Sequence, residues 1–176
     1  MYALNSPKKY INLITKIRIM ITIFFIIGAK YLIIVVAVIA GLFFLKQPGS
    51  IQNQILILSI IALPAIYLTA KIGGWLYYDP RPFVQGNFLP LIPHTPDNGF
   101  PSDHVLLGAA IACVLYPFSR TVSLTLLMLT GIIGISRVYV GVHHSIDIMG
   151  SALIAAVVTI IVYQFIKSTY VYRRSS

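Results

Sequence analysis

The sequence predicts an all-α, polytopic membrane bundle of about six helices, five or six of them transmembrane. Three observations carry this expectation. Of 176 residues, 58% are hydrophobic and only 10% charged, and the mean hydropathy of +0.89 lies outside the range of soluble domains. Several apolar runs reach the roughly 20 residues that a helix needs to cross a hydrocarbon core of about 30 Å. These runs are too long and unbroken for alternating barrel strands, and backbone in lipid must satisfy its own hydrogen bonds.

In chain order, spans are expected near residues 11–29, 31–46, 54–78, 103–119, 122–140 and 146–167. Lys16 and Arg18 interrupt the first, which could instead lie in the interface as an amphipathic helix and leave five true spans. No small-residue cleavage pattern follows this basic start, so it is read as retained rather than as a signal peptide. One integral membrane domain, residues 1–176, accounts for the length, and there is no internal repeat.

Between the third and fourth spans, residues 79–102 read "DPRPFVQGNFLPLIPHTPDNGFPS" and hold six of the ten prolines. Proline fixes backbone direction and removes donors, so this segment is expected to be non-helical, an ordered loop outside the hydrocarbon or packed over the bundle. Trp75, Tyr77 and Tyr78, just below it, suit headgroup level and the anchoring of a helix end.

The net charge of +9 does not point to nucleic acid, because Lys and Arg punctuate the apolar runs instead of forming one dense patch. Six alternating spans put Lys8, Lys9, Lys46, Arg120, Lys167, Arg173 and Arg174 on one side, which the excess of cations on cytoplasmic loops makes the inside. The proline loop then faces outward. With five spans the C-terminal half keeps this orientation and only the N-terminus moves. Cys113, the single cysteine, has no disulfide partner.

Chemistry is concentrated. The chain has no Glu, and its four Asp (79, 97, 103, 147) and four His (94, 104, 143, 144) all lie between residues 79 and 147. Ionisable groups near membrane depth are costly and line an interior cavity or pair with one another, so the concentration marks a functional site. The predicted topology brings "DPRPF", "PSDH" and "SRVYVGVHHSID" to one end of the bundle, where Arg81, Arg137, Ser102, His104, His143, His144 and Asp147 can meet. In "FPSDHV", Ser102 reads as an N-cap with Asp103 and His104 in the first turn. A helix N-terminus and two arginine forks together suit a phosphate. The alternative is that Arg81 and Arg137 pair with Asp79 and Asp147 to hold loops together. Asp147 is four residues after His143 and three after His144, so either ring can meet the carboxylate on one helix face. Such a pair fixes a tautomer and suits a histidine nucleophile toward phosphorus, with a second histidine protonating the departing oxygen. A zinc site is the rival use, but there is no thiolate pair and no second carboxylate spaced as a ligand set.

These residues resemble the three signatures of the type 2 phosphatidic acid phosphatase family: "RPF", then "PSDH", then Ser136-Arg137, five residues, His143, three residues, Asp147. The resemblance covers residues 71–147. It implies a vanadium-haloperoxidase-like helical core and a metal-independent lipid phosphatase without a cofactor. It further implies that His143 attacks phosphorus, that Asp147 orients it, and that His104 is the general acid and later the base. Arg81, Arg137, Ser102 and the Asp103 backbone N–H would hold the phosphoryl oxygens. The family's first signature begins with Lys seven residues before its Arg, whereas Lys71 precedes Arg81 by ten; Lys71 is kept as a phosphate-binding candidate. Asp103 stands where many members carry Gly. The run "LIPHTPDNGFPSDH" and the short length look most like the bacitracin-resistance branch, bacterial undecaprenyl-diphosphate phosphatases of the cytoplasmic membrane that act on its outer face. A polyprenyl diphosphate is then the implied substrate and the bilayer the implied surroundings. Alternatives are phosphatidic acid, phosphatidylglycerol phosphate or lipid A phosphate, a lipid phosphotransferase, or a non-catalytic anion or lipid transporter. His94 is read as a solvated loop histidine.

Overall fold

The computed structural model describes residues 7–175, with side chains described for residues 13–169. Among the described residues there are six helices and no strand: α1 (Pro7–Leu45), α2 (Gly49–Leu76), α3 (Pro82–Gln85), α4 (Asp103–Leu115), α5 (Arg120–Tyr139) and α6 (Ser145–Ser175). Four of them, α1, α2, α5 and α6, are long and apolar enough to cross a membrane, and the protein is a multi-pass membrane protein.

The helix count matches the expectation, but two members differ. The segments expected as separate spans at 11–29 and 31–46 are one continuous helix, because nothing between them breaks it: Gly28, Ala29 and Lys30 all continue α1. At 39 residues α1 measures about 58 Å, nearly twice a hydrocarbon core. The N-terminal end of α1 therefore lies opposite Lys46, so residues 8 and 9 do not share a side with Lys46, Arg120 and Lys167. The side chains of Lys8, Lys9, Arg173 and Arg174 lie outside the described residues. The sixth helix is α3, a single turn inside the proline loop expected to be non-helical. Pro82 opens it at the first helical position, where a missing N–H costs nothing.

α4 is the centre of the bundle. It is only 13 residues long, and Val105, Leu106, Ala109, Ala110, Ala112, Val114 and Leu115 are all buried on it. Neighbours α1, α2, α5 and α6 surround it. Small residues let these helices approach closely, which supplies the packing that hydrophobic exclusion cannot supply in lipid. Leu126 and Ile133 of α5, Ile66 of α2 and Ala155 of α6 close the same core. The outward faces carry the exposed apolar side chains, such as Ile60, Met128, Leu153 and Phe165, as a lipid-facing surface requires.

Helix ends position the site. α2 stops at Leu76, α4 starts after Ser102, α5 ends at Tyr139 and α6 starts at Ser145, all at one end of the bundle. At that end Phe25 of α1 stacks on Tyr139 with ring centroids 4.2 Å apart. Residues 25–45 of α1 are therefore the part that runs beside the bundle core, about 31 Å long.

Candidate active site

The site is built on a buried carboxylate. Asp147, in the first turn of α6, is 0% exposed and its Oδ2 accepts from the His144 backbone N–H at 2.9 Å and from His143 Nδ1 at 3.1 Å. The expected histidine–aspartate pair is present, but not along a helix face: both histidines precede α6, and the carboxylate reaches back to them. The turn that carries them needs Gly141, whose φ is +83° and where a Cβ would meet the Phe88 ring at 2.8 Å.

This geometry separates His143 from His144. His143 is 2% exposed, and with Nδ1–H on Asp147 its Nε2 keeps a lone pair. Arg81 Nη1 donates to that nitrogen at 3.3 Å. His144 instead turns away, its Nδ1 2.9 Å from Asp79 Oδ2. Burial lowers the His143 pKa below the ordinary 6.5; the Asp147 bond opposes this, and Arg137 and Arg81 reinforce it. The ring is thus kept neutral and nucleophilic near neutral pH.

Both expected arginines are buried, Arg81 to 5% and Arg137 to 4% exposure. Arg81 donates to Asp97 Oδ1 (2.7 Å), Val142 O (2.8 Å) and Asn98 O (3.3 Å). Neither arginine pairs with Asp79 or Asp147 as the alternative expected, but Arg81 does join the proline loop, through Asp97 and Asn98, to Val142 of the turn before α6. Arg137 has no carboxylate among its bonds: Nη1 donates to Ala29 O of α1 and Nη2 to His94 Nε2. Its buried Nε and the hydroxyl of Ser102 have no hydrogen-bond partner among the described residues. Ser102 occupies the N-cap position of α4 as expected, but its side chain makes no capping bond. Asp103, exposed, opens α4, and half-buried His104 follows within electrostatic reach of Arg137, His143 and His94.

Lys71 is the expected phosphate ligand that the structure does not bring to the site. It is exposed on α2 with its ammonium 5.2 Å from the centroid of the Tyr67 ring. Ala70, one residue earlier, is buried, and a helical step of roughly 100° takes Lys71 off the inward face. The extra residues before Arg81 rotate the lysine away.

Sequence reasoning overlooked the two anchors of the proline loop. Asn98 donates from Nδ2 to Gly74 O (2.7 Å) and Tyr77 O (3.0 Å), while its Oδ1 accepts from the backbone of Asp79 (2.9 Å) and Phe100 (3.0 Å). Ile92, 4% exposed, packs with Ala29, Val140 and Val142. The signal for Asn98 was its place in "PDNGF", a turn composition; for Ile92 there was none. His94, read as solvated, is half-buried between these anchors. Trp75 and Tyr78 are 83% and 64% exposed at the end of α2, as an interfacial girdle requires.

Asp79, His144 and Asp147 place one ligand atom each within 4.8 Å of one another. His144 Nδ1 is engaged with Asp79 Oδ2 and Asp147 Oδ2 with His143, while Asp147 Oδ1 is without a partner among the described residues. A cavity of about 760 Å³ lined by Tyr116, Arg120, Thr159 and Tyr163 lies at the other end of α4, away from this chemistry.

The fold and site define a helical integral membrane protein with an arginine-flanked, carboxylate-held histidine at one end of the bundle. The chain belongs to the PAP2 superfamily, whose sequence pattern matches residues 53–170. It is 34% identical over 90 residues to undecaprenyl-diphosphatase BcrC of Bacillus subtilis (strain 168), covering 51% of this chain and 47% of that protein. It is 32% identical over 114 residues to the bacitracin transport permease protein BcrC of Bacillus licheniformis, covering 64% and 56%. The chain thus spans about half the length of these relatives. The fold is that of LpxE from Aquifex aeolicus, whose crystal structure superposes with a TM-score of 0.62 at 23% identity, covering 83% of this chain and 84% of that one.

Replacing Asn98 with Ala removes four bonds, two that tie the loop to the end of α2 and two within the loop. At about 0.5–1.5 kcal/mol net per bond, the loss of stability is expected at about 2–4 kcal/mol. Thermal unfolding in detergent should show it, together with faster proteolysis between residues 87 and 101.

Proposed function

We propose that the protein is a lipid phosphatase that hydrolyses a polyprenyl diphosphate, undecaprenyl diphosphate in a bacterial cell, to the monophosphate and inorganic phosphate. The observation that carries the reading is the His143 ring: its Nδ1 is fixed by Asp147, and its Nε2 lone pair meets buried Arg81 at 3.3 Å, a contact that a phosphoryl group displaces by taking the guanidinium onto its own oxygens. Family membership and the name of the Bacillus subtilis relative support the substrate.

The mechanism proceeds in two in-line transfers. His143 Nε2 attacks the terminal phosphorus, forming an N–P bond as the bridging P–O bond breaks. His104, which burial and Arg137 hold neutral at rest, takes up a proton from solvent as the polyanionic substrate binds and gives it to the departing oxygen of the lipid monophosphate. Arg81, Arg137, Ser102 and the Asp103 N–H take the phosphoryl oxygens, with the partnerless Ser102 hydroxyl and Arg137 Nε available for this purpose. Water, deprotonated by His104, then attacks the phosphohistidine, releasing phosphate and restoring His143. These steps need no metal ion. Lys71 has no part in them.

The substrate panel decides. Purified protein should release phosphate from a polyprenyl diphosphate in preference to phosphatidic acid, phosphatidylglycerol phosphate or lipid A. A reversed preference assigns the same chemistry to another lipid phosphate, and no release from any points to binding or transport. His143→Ala should abolish turnover and acid-labile ³²P labelling while the protein stays folded. Arg137→Lys should lower kcat/KM by about 10²–10³-fold, since an ammonium cannot reproduce the planar fork.

A pH profile tests the neutral nucleophile. Protonation of His143 removes its lone pair, and its pKa lies below 6.5, so the acid limb of kcat/KM should have its midpoint below 6.5. Asp147→Asn removes an interaction that raises this pKa, so the limb should move to still lower pH as kcat falls.

The site faces the periplasm or cell exterior of the cytoplasmic membrane. Lys46, Arg120 and Lys167 lie at the end of the bundle away from the site and favour that end as cytoplasmic, whereas Lys16 and Arg18 stand on the part of α1 beyond the site end, so charge alone does not assign the sides and labelling decides. Leu89 of the proline loop is 93% exposed. In a Cys113→Ala background, Leu89→Cys should react with a membrane-impermeant maleimide added to intact cells or spheroplasts; reaction only after lysis would reverse the orientation.

A further inference from the structure

The proline loop does more than cover the site. Its two anchors, Ile92 and Asn98, hold an arch of five residues, 93–97, across the mouth. From this arch two side chains reach the two arginines: Asp97 takes Arg81 Nε at 2.7 Å and His94 takes Arg137 Nη2 at 3.0 Å. An arginine only donates, so His94 Nε2 is the acceptor and its proton sits on Nδ1, near Thr95 O at 3.4 Å. The His94 ring stands edge-on to His143 with centroids 6.1 Å apart. The two rings are thus near neighbours at the mouth.

We infer that His94 is a substrate-binding residue that recognises the second phosphate of a diphosphate, the one that leaves with the lipid. The inference rests on the phosphatase reading above and extends it to substrate class. When the terminal phosphoryl group reaches His143, its oxygens compete for Arg137 Nη2 and release His94 Nε2. The remaining phosphate of a diphosphate then lies beside an imidazole that is free to take a proton from solvent and donate it as a charge-assisted hydrogen bond. A monophosphate ester has no group at that place. Bond breaking and making at phosphorus are unchanged; His94 only takes up a proton on binding and returns it on release.

The electrostatics agree with a neutral resting ring. Burial lowers the His94 pKa, Arg81, Arg137 and His143 lower it further, and the bond to Thr95 only partly opposes them; His104 on α4 and Asp97 on the same arch are further titratable groups nearby. A bound polyanion offsets the two arginines and favours the protonated ring. Proton uptake is thereby coupled to the charge of the ligand.

His94→Gln separates this role from a structural one. The Gln side-chain oxygen can still accept from Arg137, but the residue cannot become a cation. The measurements are KM and kcat for farnesyl diphosphate and the inhibition constant of farnesyl monophosphate, each in detergent micelles across pH 5.5–8.5. His94→Gln is expected to raise KM for the diphosphate about tenfold, the scale of one charge-assisted bond, and to leave the monophosphate constant within about twofold. The wild-type KM should rise with pH relative to that of the variant, because only the wild type loses a cationic donor. Equal weakening toward both lipids, or no change in either, overturns the assignment while leaving the phosphatase reading intact. A wild type that releases phosphate only from lipid monophosphates overturns both. His94→Ala serves as the second variant: it should show the same selective loss, and a general loss there but not in His94→Gln would itself count against substrate recognition and for support of Arg137.

Discussion

The bond between His143 and Asp147 is the constraint around which this end of the molecule is arranged. A carboxylate with no solvent exposure must be compensated by hydrogen bonds; Asp147 obtains them at Oδ2, from the His143 ring and the His144 backbone, while its Oδ1 has no partner among the described residues. That requirement folds the turn between α5 and α6 back on the start of α6. It also fixes the tautomer of His143, which leaves Nε2 as the nitrogen that faces Arg81. Ser151, one turn further along α6, donates to the Asp147 backbone O and to Ser102 O, which links the carboxylate's helix to the start of α4.

Two buried guanidinium groups beside an imidazole would repel each other without compensation. The structure distributes their donors over backbone carbonyls, Val142 O and Asn98 O for Arg81 and Ala29 O for Arg137, and adds one carboxylate, Asp97. The compensation is incomplete: Arg137 Nε remains without a partner among the described residues. An anion that completes the set is favoured on entry because it is attracted by both arginines in surroundings where water screens little. Burial acts in the same direction on His143, holding it neutral against the stabilising pull of Asp147 on its charged form.

The short central helix explains how polar chemistry coexists with a lipid-facing exterior. α4 is surrounded by the four long helices, so its first turn can place Ser102, Asp103 and His104 at the mouth without exposing them to hydrocarbon. The proline loop closes the same mouth from above. It owes its course less to its prolines than to Asn98, which mimics backbone partners for both α2 and the loop itself, and to Ile92, which is drawn into a small apolar cluster with Ala29, Val140 and Val142.

Much of this was legible in the residues. Long apolar runs determined helices, because lipid offers no partner for unpaired backbone, and the crowding of every Asp and His into residues 79–147 located the site. The spacing of His143 and Asp147 allowed their pairing but could not exclude His144; only the observed turn, with His144 drawn to Asp79, made that distinction. The continuity of α1 was ambiguous in sequence, since Lys16 and Arg18 argue for a break while no residue between 28 and 31 supplies one. Lys71 was misplaced because sequence distance along a helix does not reveal rotation about its axis, and that rotation is set by what packs against Ala70. His94 looked like any loop histidine until the anchors on either side of it were known. Composition and local spacing thus determine which groups exist and where along the chain they stand, because they reflect solvent and backbone chemistry that acts locally. Which of them touch depends on non-local packing between distant segments, as in the bond from Arg137 to Ala29, 108 residues apart, and only the tertiary structure decides that.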